Sequence, residues 1–175
     1  MLKKISLFFR NQPTITRLTL ENEIKRLLPS LGGKFILEIG AGINNSRSLQ
    51  IPHSTYVTMD IRSKAAPDVL GDAFSLPFKS TVFDRVIMTE VLEHCYEPIE
   101  VIKECYRVIT KGGLLILSTR FVYPVHKGPS DYYRFTEECL KRLLADFSSV
   151  QIIPLGHRLG VIMDLISENI PVLRI

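Results

Sequence analysis

The chain has 175 residues, enough for one domain around a single hydrophobic core but too few for two domains of ordinary size. Its hydrophobic fraction of 46% and charged fraction of 23% are those of a soluble globular protein, and no apolar run approaches the roughly 18–20 residues that span a bilayer. The net charge of +4 comes from Lys and Arg residues spread along the chain, so we expect no nucleic-acid partner. An acidic substrate remains compatible with this charge.

The first ten residues resemble the start of a signal peptide, but Arg10 and Asn11 interrupt the apolar stretch and no small-residue cleavage site follows. We therefore expect a short amphipathic anchor or a helix that covers the core. The three cysteines lack C-x-x-C spacing and cannot all pair, which predicts reduced thiols in a cytoplasmic protein: Cys95, Cys105 and Cys139. No metal site is predicted.

The predicted elements begin with an amphipathic helix over Leu18–Leu31, which Gly32-Gly33 terminates. A short apolar run, Lys34–Ile39, predicts the first strand and leads directly into Gly40-Ala41-Gly42. Five later apolar runs predict further strands, the fourth of them entered through Gly112-Gly113: Tyr56–Met59, Pro67–Leu70, Val82–Thr89, Leu114–Ser118 and Val150–Ile153.

Two helices are predicted between the later strands. The second of them, Thr136–Leu144, opens with a threonine N-cap followed by two glutamates. The first, Pro98–Val108, is predicted to share one apolar face with the residue after it: Ile99, Ile102, Cys105, Tyr106 and Ile109. Short apolar strands that alternate with helices favour an α/β, Rossmann-like, doubly wound and mainly parallel sheet with helices on both faces.

We expect a single domain of three parts. Residues 1–32 form a helical cover, residues 33–155 form the cofactor-binding core, and residues 156–175 form a C-terminal helix or a truncated last strand. The segment 43–53 should hold the first crossover helix, but Asn44, Asn45 and Pro52 predict that this helix is short or distorted. A seventh strand is expected to be missing or to be replaced by a helix over 160–169.

The glycines that leave the first strand are candidates for close approach to a ligand. Gly40 and Gly42 lack a Cβ that would obstruct a nucleotide, although a tight structural turn gives the same pattern. A dinucleotide site would favour a third glycine where the chain has Asn45. Asp60, at the end of the second strand, can accept hydrogen bonds from both ribose hydroxyls of an adenosine, the alternative being a helix or turn cap.

Asp72, Ala73 and Phe74 follow the third predicted strand and would lie at the adenine edge. Asp72 could accept a hydrogen bond from the exocyclic amine, and Phe74 or Leu76 could pack on the ring. The alternative is an ordinary Gly71-Asp72 turn.

At this point the chain resembles the class I S-adenosylmethionine-dependent methyltransferases, in the branch known as the type 11 methyltransferase domain. The resemblance extends from about Phe35 to about Thr136 and consists of six ordered motifs: Leu37–Gly42, Asp60, Gly71–Phe78, Phe83–Ile87, Glu90–His94 and Arg107–Gly113.

This resemblance implies S-adenosylmethionine as the cofactor and a role for each matching position. The loop of Glu38, Gly40, Ala41 and Gly42 would face the methionine portion and the ribose. Asp60 would hold the ribose hydroxyls, Ile61 would lie against the adenine, Asp72 and Ala73 would contact the adenine, and Glu90 would lie beside the cofactor. The chain departs from the family in lacking a third small residue near Asn44 and a full helix after the glycines.

The candidate acceptor site is the long loop Thr119–Thr136, because ligands of open parallel sheets bind at the carboxyl ends of strands. Tyr132, Tyr133 and Arg134 are candidate substrate-binding residues, since a guanidinium can hold a carboxylate or phosphate. The alternative for Arg134 is an ion pair with Asp131 that fastens the loop.

Two histidines are candidate catalytic bases. An imidazole titrates near neutral pH, which makes His126 in the acceptor loop and His94 near the cofactor suitable for a hydroxyl acceptor. The alternative for His94 is a hydrogen-bonded helix residue.

The sequence therefore predicts an enzyme that transfers a methyl group to a small-molecule acceptor or one linked to a glycan or lipid. The alternatives are a nicotinamide-dependent Rossmann oxidoreductase and a catalytically silent binding module of the same fold. The apolar residues 171–175 are a candidate surface for a homodimer.

Overall fold

The computed structural model describes residues 15–27, 35–42, 55–125, 129–156 and 159–162. The helices and longer strands of these ranges, in chain order, are α1 (Ile15–Leu27), β1 (Phe35–Ile39), β2 (Thr55–Asp60), β3 (Val69–Leu70), β4 (Phe83–Thr89), α2 (Pro98–Val108), β5 (Ile109–Ser118) and α3 (Glu137–Leu143). Short 3-10 turns follow β2 and β4, at Ser63–Ala65 and Leu92–His94, and residues 159–162 are helical.

The strands form one parallel sheet in the order β3-β2-β1-β4-β5. β1 lies at its centre, where Leu37 pairs with Val57 of β2 and with Val86 of β4. All strands therefore end at the same edge of the sheet, and the predicted mainly parallel α/β fold is confirmed.

Helices cover both faces of this sheet because successive strand residues point to opposite sides. Ile36, Ile87 and Ile116 face α1 and form a cluster with its Leu20 and Ile24.

The opposite face carries the larger core, in which Leu37, Val86 and Met88 pack with the α2 residues Val101 and Ile102. The predicted helix over Pro98–Val108 has the bounds expected of it. Its predicted apolar face is wrong in part, because Ile99 and Tyr106 are 53% and 52% exposed. They lie roughly 100° or more around the helix from the middle of the buried stripe, at 3.6 residues per turn.

β5 is longer than predicted, since it begins at Ile109 directly after α2. The predicted entry through Gly112-Gly113 is a bulge within the strand: Phe83 pairs with Ile109, whereas Arg85 pairs with Leu114. Glycine is needed in this bulge because a Cβ on Gly113 would lie 2.9 Å from the backbone oxygen of Asp84.

The strand predicted over Val150–Ile153 is wrong, because these residues are irregular and more than a third of each end residue is exposed. A short apolar run does not by itself reveal whether a neighbouring strand is available. The helix α3 begins as predicted, with the Thr136 hydroxyl accepting the Cys139 amide at 3.3 Å.

Several sequence predictions fall outside the described residues: the end of the first helix, the segment 43–53 and most of the predicted helix over 160–169. The longest helix in the described ranges has 13 residues, which is shorter than a bilayer span.

Candidate cofactor and acceptor site

The turn after β1 approaches the turn after β4 closely. Gly40 has a φ of +75° and donates its amide to the Met59 carbonyl at 2.8 Å. A Cβ on Gly40 would lie 2.2 Å from Cγ2 of Val91, so packing and backbone conformation both require glycine here.

Gly42 and Asp60 join the ends of β1 and β2. The Gly42 amide donates to Oδ2 of Asp60 at 2.9 Å, and the Arg62 amide donates to Oδ1 at 2.8 Å. Gly42 has a φ of +67°, and among the described residues the nearest heavy atom to a Cβ placed on it would be the Gly40 oxygen at 4.0 Å. Unlike Gly40, Gly42 therefore has no side chain of the described residues beside it.

The Asp60 side chain is 3% exposed and also pairs with the Arg62 guanidinium, whose Nε lies 3.2 Å from Oδ1. Burial raises the pKa of Asp60, but the hydrogen bonds from Arg62 and Gly42 together outweigh burial and hold the pKa below its ordinary value. Asp60 is therefore an ionised carboxylate at neutral pH. Arg62 covers it with a side chain that is 45% exposed.

The loop after β3 forms a turn at Asp72, which the sequence analysis gave as the alternative to adenine binding. Oδ1 of Asp72 accepts the Phe74 amide at 3.0 Å, and the Asp72 carbonyl accepts the Ser75 amide. The carboxylate itself is exposed at the same edge as Asp60. The Phe74 ring packs against Tyr96 with ring centroids 4.6 Å apart, while Ala73 is half-buried and Ile61 is exposed.

Glu38 is buried below this edge. It shares the α1 side of the sheet with Ile36, and its Oε2 accepts the Tyr56 hydroxyl at 2.8 Å. Burial raises the pKa of Glu38, although the Tyr56 hydrogen bond and the Arg17 charge lower it in part. The structure thus places Glu38 as a support for the strand pair, and a direct role toward the cofactor stays a prediction.

Glu90 directly follows β4 and has a backbone conformation that is rare for a residue other than glycine, with a φ of +57°. Its carboxylate accepts the Ser118 hydroxyl at 3.0 Å and pairs with Arg120. The Arg120 guanidinium in turn lies 3.8 Å above the centre of the Tyr123 ring. Glu90 is thereby fixed at the carboxyl edge, between β4 and β5.

Glu93 is a site residue that the sequence analysis did not single out. It is 1% exposed, its Oε2 accepts the Thr119 hydroxyl at 3.2 Å, and among the described residues its Oε1 has no hydrogen-bond partner. Burial raises the pKa of Glu93, and the nearby Glu90 charge adds to this increase. The signal in the sequence is a second carboxylate three residues after Glu90, within an otherwise apolar segment.

The acceptor loop is joined to the 3-10 turn after β4 by several hydrogen bonds. Nδ1 of His94 donates to the Ser130 carbonyl at 2.7 Å, and the Tyr132 amide donates to the Glu93 carbonyl at 2.8 Å. The Tyr133 hydroxyl donates to the Tyr96 carbonyl at 3.0 Å. Tyr132 and Tyr133 remain exposed at this surface, and His126 lies outside the described residues.

Arg134 fastens the acceptor loop, which is the alternative that the sequence left open. Two of its nitrogens bind the Asp131 carboxylate at 2.5 and 2.6 Å, and further bonds reach the carbonyls of Tyr123, Pro124 and Tyr133. All five guanidinium N–H groups thus have acceptors within the protein. Substrate binding by Arg134 would require these bonds to be exchanged.

Comparison with known proteins agrees with this geometry. Residues 37–117 match the model of a family described as a methyltransferase domain. A stretch of 77 residues is 34% identical to the mitochondrial 2-methoxy-6-polyprenyl-1,4-benzoquinol methylase of Caenorhabditis elegans, and it covers 43% of this chain and 27% of that protein. The chain therefore matches about a quarter of the length of this relative.

Two solved structures illustrate the shared fold. A methyltransferase from Aquifex aeolicus that depends on S-adenosylmethionine superposes with a TM-score of 0.56 at 15% identity, over 71% of this chain and 78% of that one. The N-methyltransferase NodS of Bradyrhizobium japonicum, in complex with S-adenosyl-L-homocysteine, superposes with a TM-score of 0.54 at 19% identity, over 62% and 64% of the two chains.

The parallel sheet, the glycine turn after β1 and the acidic end of β2 are features of a Rossmann-like fold, which both superposed structures share. The match of residues 37–117 to this methyltransferase-domain family agrees with the ordered motifs, which resemble those of the class I S-adenosylmethionine-dependent methyltransferases. S-adenosylmethionine is the cofactor of this family.

Proposed function

We propose that this chain is a methyltransferase that transfers a methyl group from S-adenosylmethionine to a small-molecule acceptor or to one linked to a glycan or lipid. The observation that carries the proposal is the Asp60 carboxylate, which is buried, ionised and bonded to the Gly42 amide at the carboxyl edge of the sheet. The family match over 37–117 supports it.

The residues at this edge fit an adenosine. Each Asp60 oxygen already accepts one backbone amide, and a carboxylate oxygen has a second lone pair that can accept a ribose hydroxyl once the Arg62 side chain moves aside. Gly42 leaves the backbone open to a ligand because it has no Cβ, and no side chain of the described residues lies beside it. The exposed Asp72 carboxylate can accept a hydrogen bond from the adenine amine, and Ala73 and Ile61 would lie against the adenine ring.

The acceptor would lie between Glu90 and the exposed Tyr132 and Tyr133 rings. S-adenosylmethionine supplies a methyl group that is already activated on a sulfonium, so the protein mainly aligns the acceptor and excludes water. Glu90 is suited to this alignment because Ser118 and Arg120 fix its carboxylate. The acceptor loop, fastened by Arg134, would close the other side.

A hydroxyl acceptor also needs a base to take its proton. We propose His94 for this role, because its Nδ1 donates to the Ser130 carbonyl, so that Nε2 is the ring nitrogen that would take the proton. His126 remains a second proposed base. The single-domain division, the cytoplasmic location and the homodimer also remain proposals.

Isothermal titration with S-adenosylhomocysteine tests the cofactor site directly. We expect binding at one site per chain, and NAD at the same concentrations is expected to give no signal. Absence of binding to a folded protein at millimolar S-adenosylhomocysteine would overturn the proposal, and tighter binding of NAD would favour the oxidoreductase alternative. Binding of S-adenosylmethionine without methylation in a broad acceptor screen would favour the silent module.

A further inference from the structure

The loop between β3 and β4, residues 71–82, is anchored to α2 by two charged side chains. Oε2 of Glu104 accepts the Leu76 amide at 2.8 Å. Arg107 donates to the Leu76 carbonyl at 3.1 Å and to the Phe78 carbonyl at 2.8 Å. The same loop carries Asp72, four residues before the first anchor point.

Glu104 and Arg107 also bind each other in a two-point ion pair, with Nε to Oε1 and Nη2 to Oε2 both at 2.7 Å. The Arg107 hydrogen bond lowers the pKa of Glu104 despite an opposing effect of burial, so the pair stays charged at neutral pH. The Arg107 carbonyl accepts the Thr81 amide at 2.9 Å, which holds the far end of the loop to the same turn of α2.

Helix stabilisation alone does not account for this arrangement. α2 contains a second pair with the same spacing, Glu100 and Lys103, whose side chains are more than half exposed and whose hydrogen bond joins the two side chains to each other. A pair of that kind contributes a few tenths of a kcal/mol to a helix. Glu104 and Arg107 instead direct additional hydrogen bonds to the backbone of the loop.

We infer that Glu104 and Arg107 are positioning residues for adenine recognition, holding the loop where Asp72 meets the exocyclic amine. This inference rests on the proposed cofactor site. It goes beyond that site because it assigns the preference for adenine over another nucleobase to two residues of α2, a helix that is not itself placed at the ligand. Loosening the anchor would shift Asp72 but leave the ribose carboxylate of Asp60 in place.

The test compares S-adenosylhomocysteine with S-inosylhomocysteine, in which oxygen replaces the adenine amine. We expect the wild type to prefer S-adenosylhomocysteine by about tenfold or more, since the inosine oxygen would face the Asp72 carboxylate. In Arg107→Met the affinity for S-adenosylhomocysteine should fall about tenfold, while the affinity for S-inosylhomocysteine should change less than about twofold. Lys103→Met, on the same helix, should change neither.

Glu104→Gln and Arg107→Lys extend the test in case Arg107→Met does not fold, because each keeps part of the anchor. An equal loss of both ligands, or no loss of either, in a folded variant overturns the inference and leaves the cofactor site standing. Equal affinity of the wild type for the two ligands overturns it as well. Failure of the wild type to bind S-adenosylhomocysteine overturns the cofactor site, and the inference with it.

Discussion

Replacing Asp60 with asparagine removes one acceptor oxygen and the negative charge without changing the size of the side chain. Each carboxylate oxygen accepts a backbone amide, so the NH₂ group of the new side chain would direct its donors at the amide of either Gly42 or Arg62. A hydrogen bond to a charged group contributes about 1.5–3 kcal/mol. Loss of charge-assisted bonds to the ribose hydroxyls should therefore weaken binding by at least about 2 kcal/mol, which is about thirtyfold.

The assay is isothermal titration of S-adenosylhomocysteine into both proteins at neutral pH. The matched control is Asp146→Asn, which changes an exposed carboxylate away from the sheet edge and should leave the affinity unchanged. Binding by a folded Asp60→Asn variant within about threefold of the wild type would refute the assignment of the ribose site to Asp60.

Three further outcomes follow from the same geometry. Gly40→Ala should lower the free energy of unfolding by more than about 2 kcal/mol in urea titrations, because the αL backbone conformation and the overlap with Val91 both oppose a Cβ. Gly42→Ala should lower it by only about 1–2 kcal/mol, and an equal loss in the two variants would contradict this reasoning. Burial raises the pKa of Glu93, so its contribution to wild-type stability should fall as pH rises from the ordinary carboxyl pKa through the raised one. Glu93→Gln should flatten this dependence of the melting temperature on pH in thermal melts between about pH 4 and 8. An unchanged dependence would count against a buried Glu93. Thr136→Ala should cost about 1 kcal/mol of stability through the lost cap of α3 without changing cofactor affinity, whereas a loss of affinity would mean that α3 reaches the site.

The core strands could be predicted from sequence because they are short, continuously apolar and bounded by polar or glycine residues. β1, β2 and β4 begin and end within one residue of their predicted limits. The mainly parallel sheet also follows, since short apolar strands that alternate with helices need crossover connections.

The early start of β5 could not be predicted, because Gly112-Gly113 is typical of a turn and only the position of Asp84 on β4 makes it a bulge. The Val150–Ile153 run failed for a related reason: apolar character does not show whether an edge strand is available to pair with it. The apolar face of α2 was predicted only in part, because the side of the helix that becomes buried depends on where the sheet lies.

The positions of Asp60 and Gly42 at the strand ends were predictable because each lies at or just after the end of an apolar run, while their role toward the cofactor stays a prediction. Arg62 was not predictable, since nothing in its sequence context shows that its side chain folds back onto Asp60. Glu93 and the Glu104–Arg107 anchor depend on contacts between segments that are far apart in sequence.

The most direct measurement is a crystal structure of the protein with S-adenosylhomocysteine. We expect both ribose hydroxyls within about 2.5–3.2 Å of the Asp60 oxygens, with the Arg62 guanidinium displaced from them and the adenine beside Asp72. An adenosine bound elsewhere, or a ribose that leaves Asp60 paired only with Arg62, would contradict the proposed cofactor site.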